Sequence, residues 1–290
     1  MIATDRDIVI RGITTLAELR EVEALQKEVW GISDLEVVPF PEMIAANEAG
    51  GMVIGAFAER QMVGFVYGFV GLEGGRLTIH SHMAAVKPGW RDLKVGYRLK
   101  LAQRERALSQ GITEVTWTFD PLQSLNAHFN FARLGVVAAK YKVNFYGSDT
   151  TFLLPGLGTD RFWVRWLLDS PRVRRRIEGM TPPDESFSEI NSALPLVTMN
   201  ADGSPSLNNQ TEIAAAAGAP PLLIDVPHDI GSLQRASPEL AVTWREVTRQ
   251  GFTTALAAGY MVVEFHRRQD QAMQFGTYLL SPSCQAERTW

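Results

Sequence analysis

The chain has 290 residues, and its 28 Lys and Arg against 32 Asp and Glu give a formal net charge of −4. Hydrophobic residues make up 46% and charged residues 21%, which is typical of a globular protein and argues against global disorder. The acidic balance argues against a dedicated nucleic-acid-binding protein. A single cysteine, Cys284, excludes an internal disulfide and zinc sites built from several cysteines.

No apolar run reaches the roughly 18 residues that a membrane span needs, and the first seven residues lack the apolar core of a signal peptide. We therefore expect a cytoplasmic location. Residues 8–169 alternate β-branched or aromatic runs with helical patterns, in the order β-α-α-β-β-β-α-β-α-β-β. The predicted strands are 7–11, 52–58, 61–71, 77–86, 114–119, 136–146 and 160–168, and the predicted helices are 15–30 (capped by Thr15), 41–49, 92–110 and 124–134.

The second part of the chain has a different composition. Residues 181–220 are rich in Pro, Ala, Asn and Ser, which predicts a linker containing one hairpin of 196–199 and 206–208. A strand at 222–226, a helix with Ser237 as its N-cap and a hairpin of 261–265 and 274–280 follow. The predicted domains are therefore residues 1–180, the linker 181–220, and an α+β extension at 221–290.

One segment, residues 79–99, carries a chemical signal. It is predicted as a strand, a tight basic turn and an amphipathic helix. The N–H groups at a helix N-terminus are unpaired, and with the helix dipole they form an anion site suited to a pyrophosphate. Arg91, Lys94 and Arg98 add positive charge there. An ordinary strand-to-helix turn with a solvated basic face is the alternative interpretation.

This segment resembles motif A of the GNAT (GCN5-related) N-acetyltransferases, whose turn reads Gln/Arg-x-x-Gly-x-Gly/Ala. Arg91 and Gly96 match the outer positions, whereas Lys94 stands at the inner glycine. Residues 120–135 resemble motif B, a strand end followed by a short helix that closes on an aromatic residue and Leu134-Gly135. The resemblance covers a little over half the chain. It implies an α/β fold with a mixed, mostly antiparallel sheet flanked by helices, followed by the smaller extension.

The resemblance also implies an activity. The chain is expected to bind acetyl-CoA or another acyl-CoA as co-substrate, without a metal. The acyl group would pass to the amine of a small molecule, such as an amino acid, by direct attack in a ternary complex. The residues expected to bind coenzyme A are Met83, Ala84, Ala85, Val86, Arg91, Asp92, Leu93, Lys94, Val95, Gly96, Tyr97, Ser124, Asn126 and Phe131.

Two further expectations concern proton transfer. His80 and His82 lie two residues apart, so on a regular strand they face the same side. One of them is a candidate general base, and the alternative is that they are hydrogen-bonded structural histidines. Phe131 stands where the family often has a tyrosine proton donor, so that role is vacant or moved to Tyr141 or Tyr146.

Other residues have two interpretations each. Trp30, Phe40 and Trp117 either line an acceptor pocket or, as is more common, pack in the core. Glu42 lies where acceptors enter in the family, so it either binds an ammonium group or belongs to a solvated helix face. The basic run 172–176 follows a helix start and is interpreted as a solvated face, with an acidic partner or the cofactor's ribose phosphate as alternatives.

The expected partner is a small-molecule amine, with no nucleic acid and no membrane. A homodimer is a further hypothesis, because an edge strand such as 274–280 would offer unpaired backbone groups. A different class of function also stays open. Lys94 and Phe131 both replace residues that the family motifs lead us to expect, which is compatible with a non-catalytic acyl-CoA-binding or regulatory module.

Overall fold

The computed structural model describes residues 8–147, 156–179, 190–208, 213, 218–270 and 273–283. They belong to two compact units, which divide the chain after Trp117. Cys284 and much of the predicted linker lie outside the described residues. The domain boundaries predicted at residues 180 and 220 stay a prediction.

Unit 1 contains a sheet in the order β1-β2-β3-β4-β5, antiparallel except for the parallel pair β4–β5. Its elements are β1 (Ile8–Gly12), α1 (Leu16–Trp30), α2 (Phe40–Glu48), β2 (Met52–Ala58), β3 (Gln61–Glu73), β4 (Arg76–Val86), a 3-10 helix (Pro88–Leu93), α3 (Val95–Ser109) and β5 (Glu114–Phe119), whose last two residues belong to unit 2.

Local chemistry explains how α1 begins and where it packs. The Thr15 hydroxyl accepts a hydrogen bond from the Glu18 N–H at 3.3 Å, which confirms the predicted N-cap. Leu19 and Val22 are buried on one stripe of the helix and join Phe65 of β3 in the same core cluster. This core fills the α1–α2 side of the sheet.

Unit 2 contains a sheet in the order β7-β6-β11-β12-β10-β8-β9, in which only β8 and β10 are a parallel pair. Its elements are α4 (Ser124–Ala127), a π-helix (His128–Leu134), β6 (Val137–Lys142), β7 (Arg161–Leu167), α5 (Pro171–Ile177), β8 (Leu194–Met199), β9 (Pro205–Leu207), β10 (Leu222–Pro227), α6 (Ile230–Ala236), α7 (Pro238–Ala257), β11 (Tyr260–Asp270) and β12 (Met273–Pro282). The mixed, mostly antiparallel α/β class is confirmed.

Two predicted helices are wrong in detail. The helix predicted from residue 92 begins at Val95, because Lys94 has left-handed backbone angles that end the preceding 3-10 helix. The helix predicted at 124–134 turns into a π-helix at His128. Ser237 is the N-cap residue of α7, as predicted, but its side chain makes no capping hydrogen bond. The sequence analysis missed α6, the helix that ends just before Ser237 and that Asp229 caps.

Strand β12 is not an edge strand. It pairs with β11 on one side and with β10 on the other, so its backbone groups are used within the chain. The expectation that 274–280 is an edge strand is therefore wrong, and the homodimer stays a hypothesis. In addition, Val262 of β11 pairs with Ala138 of β6, so strands from both sides of the predicted linker share one sheet.

Candidate functional site

Strand β4 changes its pairing at His82. On the β3 side Met83 lies opposite Tyr67 and Ser81 lies opposite Gly68, so His82 is an extra residue that forms a β-bulge. On the other side, pairing with β5 is limited to two residues of β4, Ile79 and His80, although β4 continues to Val86. Within unit 1 the backbone from Met83 to Val86 therefore has one edge that no strand occupies.

The open edge leads directly to a helix N-terminus. Lys94 precedes α3 with φ 56°, a left-handed conformation that glycine adopts at little cost and other residues adopt with strain. No side chain caps α3, and the first helical hydrogen bond runs from the Arg98 N–H to the Lys94 carbonyl at 3.0 Å. The N–H groups of Val95 and Gly96 thus have no partner within the helix, which makes this end attractive to an anion.

The basic side chains near this turn have different surroundings. The Arg98 guanidinium donates to the carbonyl of Ile8 at 2.6 Å, which ties α3 to β1. The Arg91 Nε donates to the carbonyl of Val86 at 3.2 Å, so that this side chain lies over the end of β4. Lys94 is exposed at the turn itself. The exposed positive charges near the helix N-terminus are therefore those of Arg91 and Lys94.

The structure brings His80 and His82 together, with ring centroids 6.3 Å apart. His80 is buried, and its Nδ1 lies 3.0 Å from the Thr116 hydroxyl. Burial is the main cause that lowers the pKa of His80 to about 4, and the nearby His82 and Lys100 act in the same direction. These contacts fit the interpretation of His80 as a structural histidine, held neutral within the sheet.

His82 has more access to solvent, because the bulge exposes it at the sheet surface. Its ring lies 5.7 Å from that of Phe69 and 6.1 Å from that of Tyr67. Desolvation of the ring lowers the pKa of His82, and the charge of Glu42 acts in the opposite direction. A neutral imidazole that solvent can reach is suited to accepting a proton.

Glu42 lies close to this face. The buried Tyr67 directs its hydroxyl to Glu42 Oε1 at a distance of 3.5 Å, a long hydrogen bond. Burial and the Glu42 charge raise the pKa of Tyr67 to about 12, so the phenol keeps its proton. The α2 helix thus holds an exposed carboxylate next to the side of the sheet that carries His82.

The opposite face of β4 contains a lysine that the sequence analysis missed. Lys100 of α3 is buried, and its Nζ donates to the Ser81 hydroxyl at 2.8 Å and to Gln103 Oε1 at 3.0 Å. The same nitrogen lies 3.9 Å from the centre of the Trp117 ring. Burial lowers the pKa of Lys100 to about 7. Its neighbour Leu99 is buried as well, but the buried residues of α3 also include the polar Gln103, so no apolar stripe marks Lys100 in the sequence.

The three aromatic candidates make packing contacts. Trp30 meets Phe65 edge-to-face at 6.1 Å, and Phe40 lies under the guanidinium of Arg20. Trp117 faces α3 and is buried. These contacts agree with the core interpretation that the sequence favoured.

In unit 2 the predicted coenzyme-binding residues have three different environments. Ser124 is buried, and its hydroxyl has no hydrogen-bond partner among the described residues. Asn126 is exposed on α4. Phe131 is fully buried, with Phe162 and Tyr278 within 6.5 Å of it, centroid to centroid. An apolar ring at this position fills the core, and the predicted role of Phe131 in coenzyme binding stays a prediction.

The hydroxyl of Tyr141 makes a hydrogen bond to a buried carboxylate. Its hydroxyl donates to Asp160 Oδ2 at 2.7 Å, and Arg249 donates to both oxygens of the same carboxylate. Burial and the Asp160 charge raise the pKa of Tyr141 well above its usual value. Tyr146, the other candidate, is exposed, with its hydroxyl 3.3 Å from that of Thr118.

Buried ion pairs of unit 2 also escaped the sequence analysis. Arg245 is buried and donates to Asp120 Oδ2 at 2.6 Å. Arg172 and Arg176 both contact the buried carboxylate of Glu264 on β11. The interpretation of the basic run as a solvated face is wrong for these two arginines, which dock α5 on the sheet. Residue identity alone could not reveal a partner about 90 positions away.

The described residues include no group of three or more His, Cys, Asp or Glu placed to hold a metal ion. No helix in the described parts of the chain has the length and apolar character needed to cross a membrane.

No family model and no curated protein matches the sequence. Solved structures that are similar include a Desulfovibrio desulfuricans protein provisionally assigned as a GNAT-family acetyltransferase, with 14% identity, TM-score 0.45 and coverage of 56% of this chain and 99% of that chain. The ribosomal-protein-S18-alanine N-acetyltransferase of Escherichia coli has 13% identity, TM-score 0.45 and coverage of 56% and 94%. Aminoglycoside 6'-acetyltransferase type Ii has 15% identity, TM-score 0.44 and coverage of 55% and 97%. These TM-scores are below 0.5, and the α/β class of this chain follows from its own strand order.

Proposed function

We propose that the chain is a GNAT-type acyl-CoA N-acyltransferase, which moves an acetyl or other short acyl group to the amine of a small molecule such as an amino acid. One observation carries the proposal. Among the described residues, no strand pairs with Met83 to Val86 of β4 on the edge away from β3, and this segment leads through a short turn into the uncapped N-terminus of α3. An extended acyl-bearing arm that ends in a pyrophosphate needs both of these features.

The backbone of unit 1 supports binding of such a molecule. An unpaired strand edge presents alternating N–H and C=O groups, which pair well with the amides of an extended ligand. The free N–H groups of Val95 and Gly96, with the charges of Arg91 and Lys94, would hold the pyrophosphate.

Bound acyl-CoA would supply a thioester carbon that an amine can attack. An amine attacks only in its neutral form, so a group of the protein must accept a proton as the C–N bond forms and the C–S bond breaks. We assign this role to His82, because it is neutral near pH 7 and exposed. A backbone N–H on the open edge of β4 would stabilise the developing oxyanion, and the proton would finally reach the departing thiolate.

A non-catalytic acyl-CoA-binding or regulatory module is the second candidate, and a specific observation favours it. Phe131 lies in the core and has no hydroxyl, while Tyr141 keeps its proton next to Asp160. Neither residue thus offers a free tyrosine hydroxyl of the kind that the family resemblance implies, which leaves Tyr146 as the other candidate. Such a module would bind acyl-CoA without releasing free coenzyme A.

Binding is tested by the melting temperature with acetyl-, propionyl- and succinyl-CoA. A ligand at one hundred times its dissociation constant stabilises a protein by about 2.7 kcal/mol, which raises the melting temperature by roughly 5–10 °C. Gly96→Asp is the sharpest variant, because a carboxylate in the first turn favours the helix but repels a pyrophosphate. Gly96→Ala is the matched control, since an added Cβ meets only Val86 Cγ2 at 3.7 Å.

We expect Gly96→Ala to keep the acyl-CoA-dependent shift and Gly96→Asp to lose it. The same shift in both variants would contradict the proposed phosphate site. Catalysis is then measured as release of the coenzyme A thiol with a panel of primary amines. We expect His82→Gln to lower the rate at least a hundredfold without changing the acyl-CoA shift. Acyl-CoA binding without thiol release would favour the second candidate.

A further inference from the structure

Two polar side chains of α3 lie buried against the sheet, where apolar residues are the rule. Lys100 and Gln103 are 5% and 0% exposed, and Lys100 Nζ donates to Gln103 Oε1 at 3.0 Å. No carboxylate among the described residues neutralises Lys100. Burial of a lysine without an acidic partner costs stability, so a lysine at this position needs a reason other than packing.

Lys100 contacts β4 one residue before the bulge. Its Nζ donates to the Ser81 hydroxyl at 2.8 Å, and Ser81 immediately precedes His82, the extra residue of the bulge. The centre of the Trp117 ring lies 3.9 Å from the same nitrogen. Ser81, Gln103 and Trp117 therefore surround the lysine nitrogen, and its position is tied to that of β4.

Gln103 reaches the neighbouring strand at the same level. Gly68 of β3 lies opposite Ser81, at the point where the pairing of β3 with β4 shifts. A Cβ added at Gly68 would lie 3.2 Å from Gln103 Nε2 and 3.0 Å from the carbonyl oxygen of His80, so the amide packs directly on the glycine. Gln103 Nε2 is buried without a hydrogen-bond partner among the described residues. The bond from Lys100 is therefore the hydrogen bond that holds this amide against the sheet.

We infer that Lys100 is a positioning residue, which acts through Ser81 to fix the bulge that exposes His82. This inference rests on the proposed function, since His82 is the proton acceptor proposed there. A bulge adds one residue to a strand, and moving it by one position turns a side chain to the other face of the sheet. The hydrogen bond from α3 holds Ser81, so the extra residue stays at position 82. The imidazole then keeps its place beside the rings of Tyr67 and Phe69.

Ser81→Ala tests this role, because it removes the hydrogen-bond acceptor without changing any charge. Ala107→Gly is the matched control, since it destabilises the same helix two turns away from Lys100. The titration of His82 is followed by NMR in the ligand-free protein, and the signal is assigned with His82→Gln. We expect Ser81→Ala to raise the pKa of His82 by about half a unit or more, because a ring released from its place gains solvent. Ala107→Gly should leave this pKa unchanged.

The titratable groups beside His82 come from three elements. They are His80 of the same strand, Tyr67 of β3 and Glu42 of α2. Ser81→Ala keeps all three groups, so a changed pKa of His82 reports a changed position of its ring.

Lys100→Met is the second variant, because it removes the donor of the same hydrogen bond. It should shift the titration of His82 in the same direction, and the double variant with Ser81→Ala should shift it no further. In the thiol-release assay, we expect each single variant to lower kcat at least about tenfold. The KM for acetyl-CoA should change less than about threefold, because the N-terminus of α3 is left intact.

The outcomes separate the inference from the proposed function. The inference is overturned if His82 titrates in both variants as it does in the original protein, or if Ala107→Gly shifts the titration equally. Absence of acyl-CoA binding or of thiol release in the original protein overturns the proposed function instead. A shifted titration would then still support the position that Lys100 gives to His82.

Discussion

The buried lysine of α3 predicts a pH-dependent stability that can be measured without any ligand. Lys100 donates hydrogen bonds to Ser81 and Gln103 and lies over Trp117, but no carboxylate neutralises it among the described residues. Burial therefore lowers its pKa from 10.5 to about 7. Replacing it with a methionine of similar length, Lys100→Met, removes the titrating group and keeps much of the packing.

The magnitude follows from the two pKa values. Between about pH 7 and pH 10.4 the unfolded chain binds the Lys100 proton and the folded chain does not, so the free energy of unfolding rises with pH across this window. Below pH 7 both states are protonated, and burial of the charge costs about 5 kcal/mol, at about 1.4 kcal/mol per pH unit. At pH 9 the remaining cost is about 2 kcal/mol. The gap, defined as the free energy of unfolding of Lys100→Met minus that of the original protein, is expected to fall by about 2–3 kcal/mol from pH 6 to pH 9.

The assay is equilibrium urea unfolding of both proteins at pH 6 and at pH 9. The loss of the Lys100 hydrogen bonds affects the absolute gap equally at both pH values, so the change in the gap isolates the titration. Lys142→Met, which alters an exposed lysine, is the control and should show a gap that does not vary with pH. A constant gap for Lys100→Met would refute the reasoning, because it would mean that Lys100 keeps its charge in the folded protein.

Three further predictions concern stability. Lys94→Gly removes left-handed backbone strain of about 1 kcal/mol, so the melting temperature should rise by a few degrees. A lower melting temperature would contradict the prediction that Lys94 is strained. Asp160→Asn leaves the Arg249 guanidinium without its buried partner and should lower the free energy of unfolding by about 3 kcal/mol in urea titrations. The control Asp169→Asn, at an exposed ion pair, should lower it by less than about 1 kcal/mol. Equal losses in the two variants would argue against the role of burial. Phe131→Tyr places a hydroxyl in the core and should lower the free energy of unfolding by about 2 kcal/mol without changing the melting-temperature shift caused by acyl-CoA. An unchanged free energy of unfolding would instead indicate that position 131 is accessible to a ligand.

Much of the fold could be predicted from local pattern. Strands β2 and β5 have their predicted bounds, because short runs of apolar, β-branched and aromatic residues between turns are local signals. The break before α3 was not predicted, since Lys94 takes backbone angles that its residue type disfavours. The π-helix at His128 was not predicted either, because it has the composition of an ordinary helix.

The candidate site was predictable only in outline. The spacing of His80 and His82 places both on β4, but it gives them equivalent roles. The difference between them comes from the bulge, which exposes His82, and from the distant Thr116, which binds His80. A bulge depends on how β3 and β4 align, and this alignment is a property of two strands together.

By itself, the sequence determined the order of elements in residues 8–169 and the position of the basic turn between β4 and α3. It did so because periodicity, caps and glycines act over a few neighbouring residues. Only the tertiary structure decided that β4 leaves one edge open, that Tyr67 directs its hydroxyl at Glu42, and that Phe131 belongs to the core. These properties depend on burial and on partners far apart in the chain, which folding alone brings into contact.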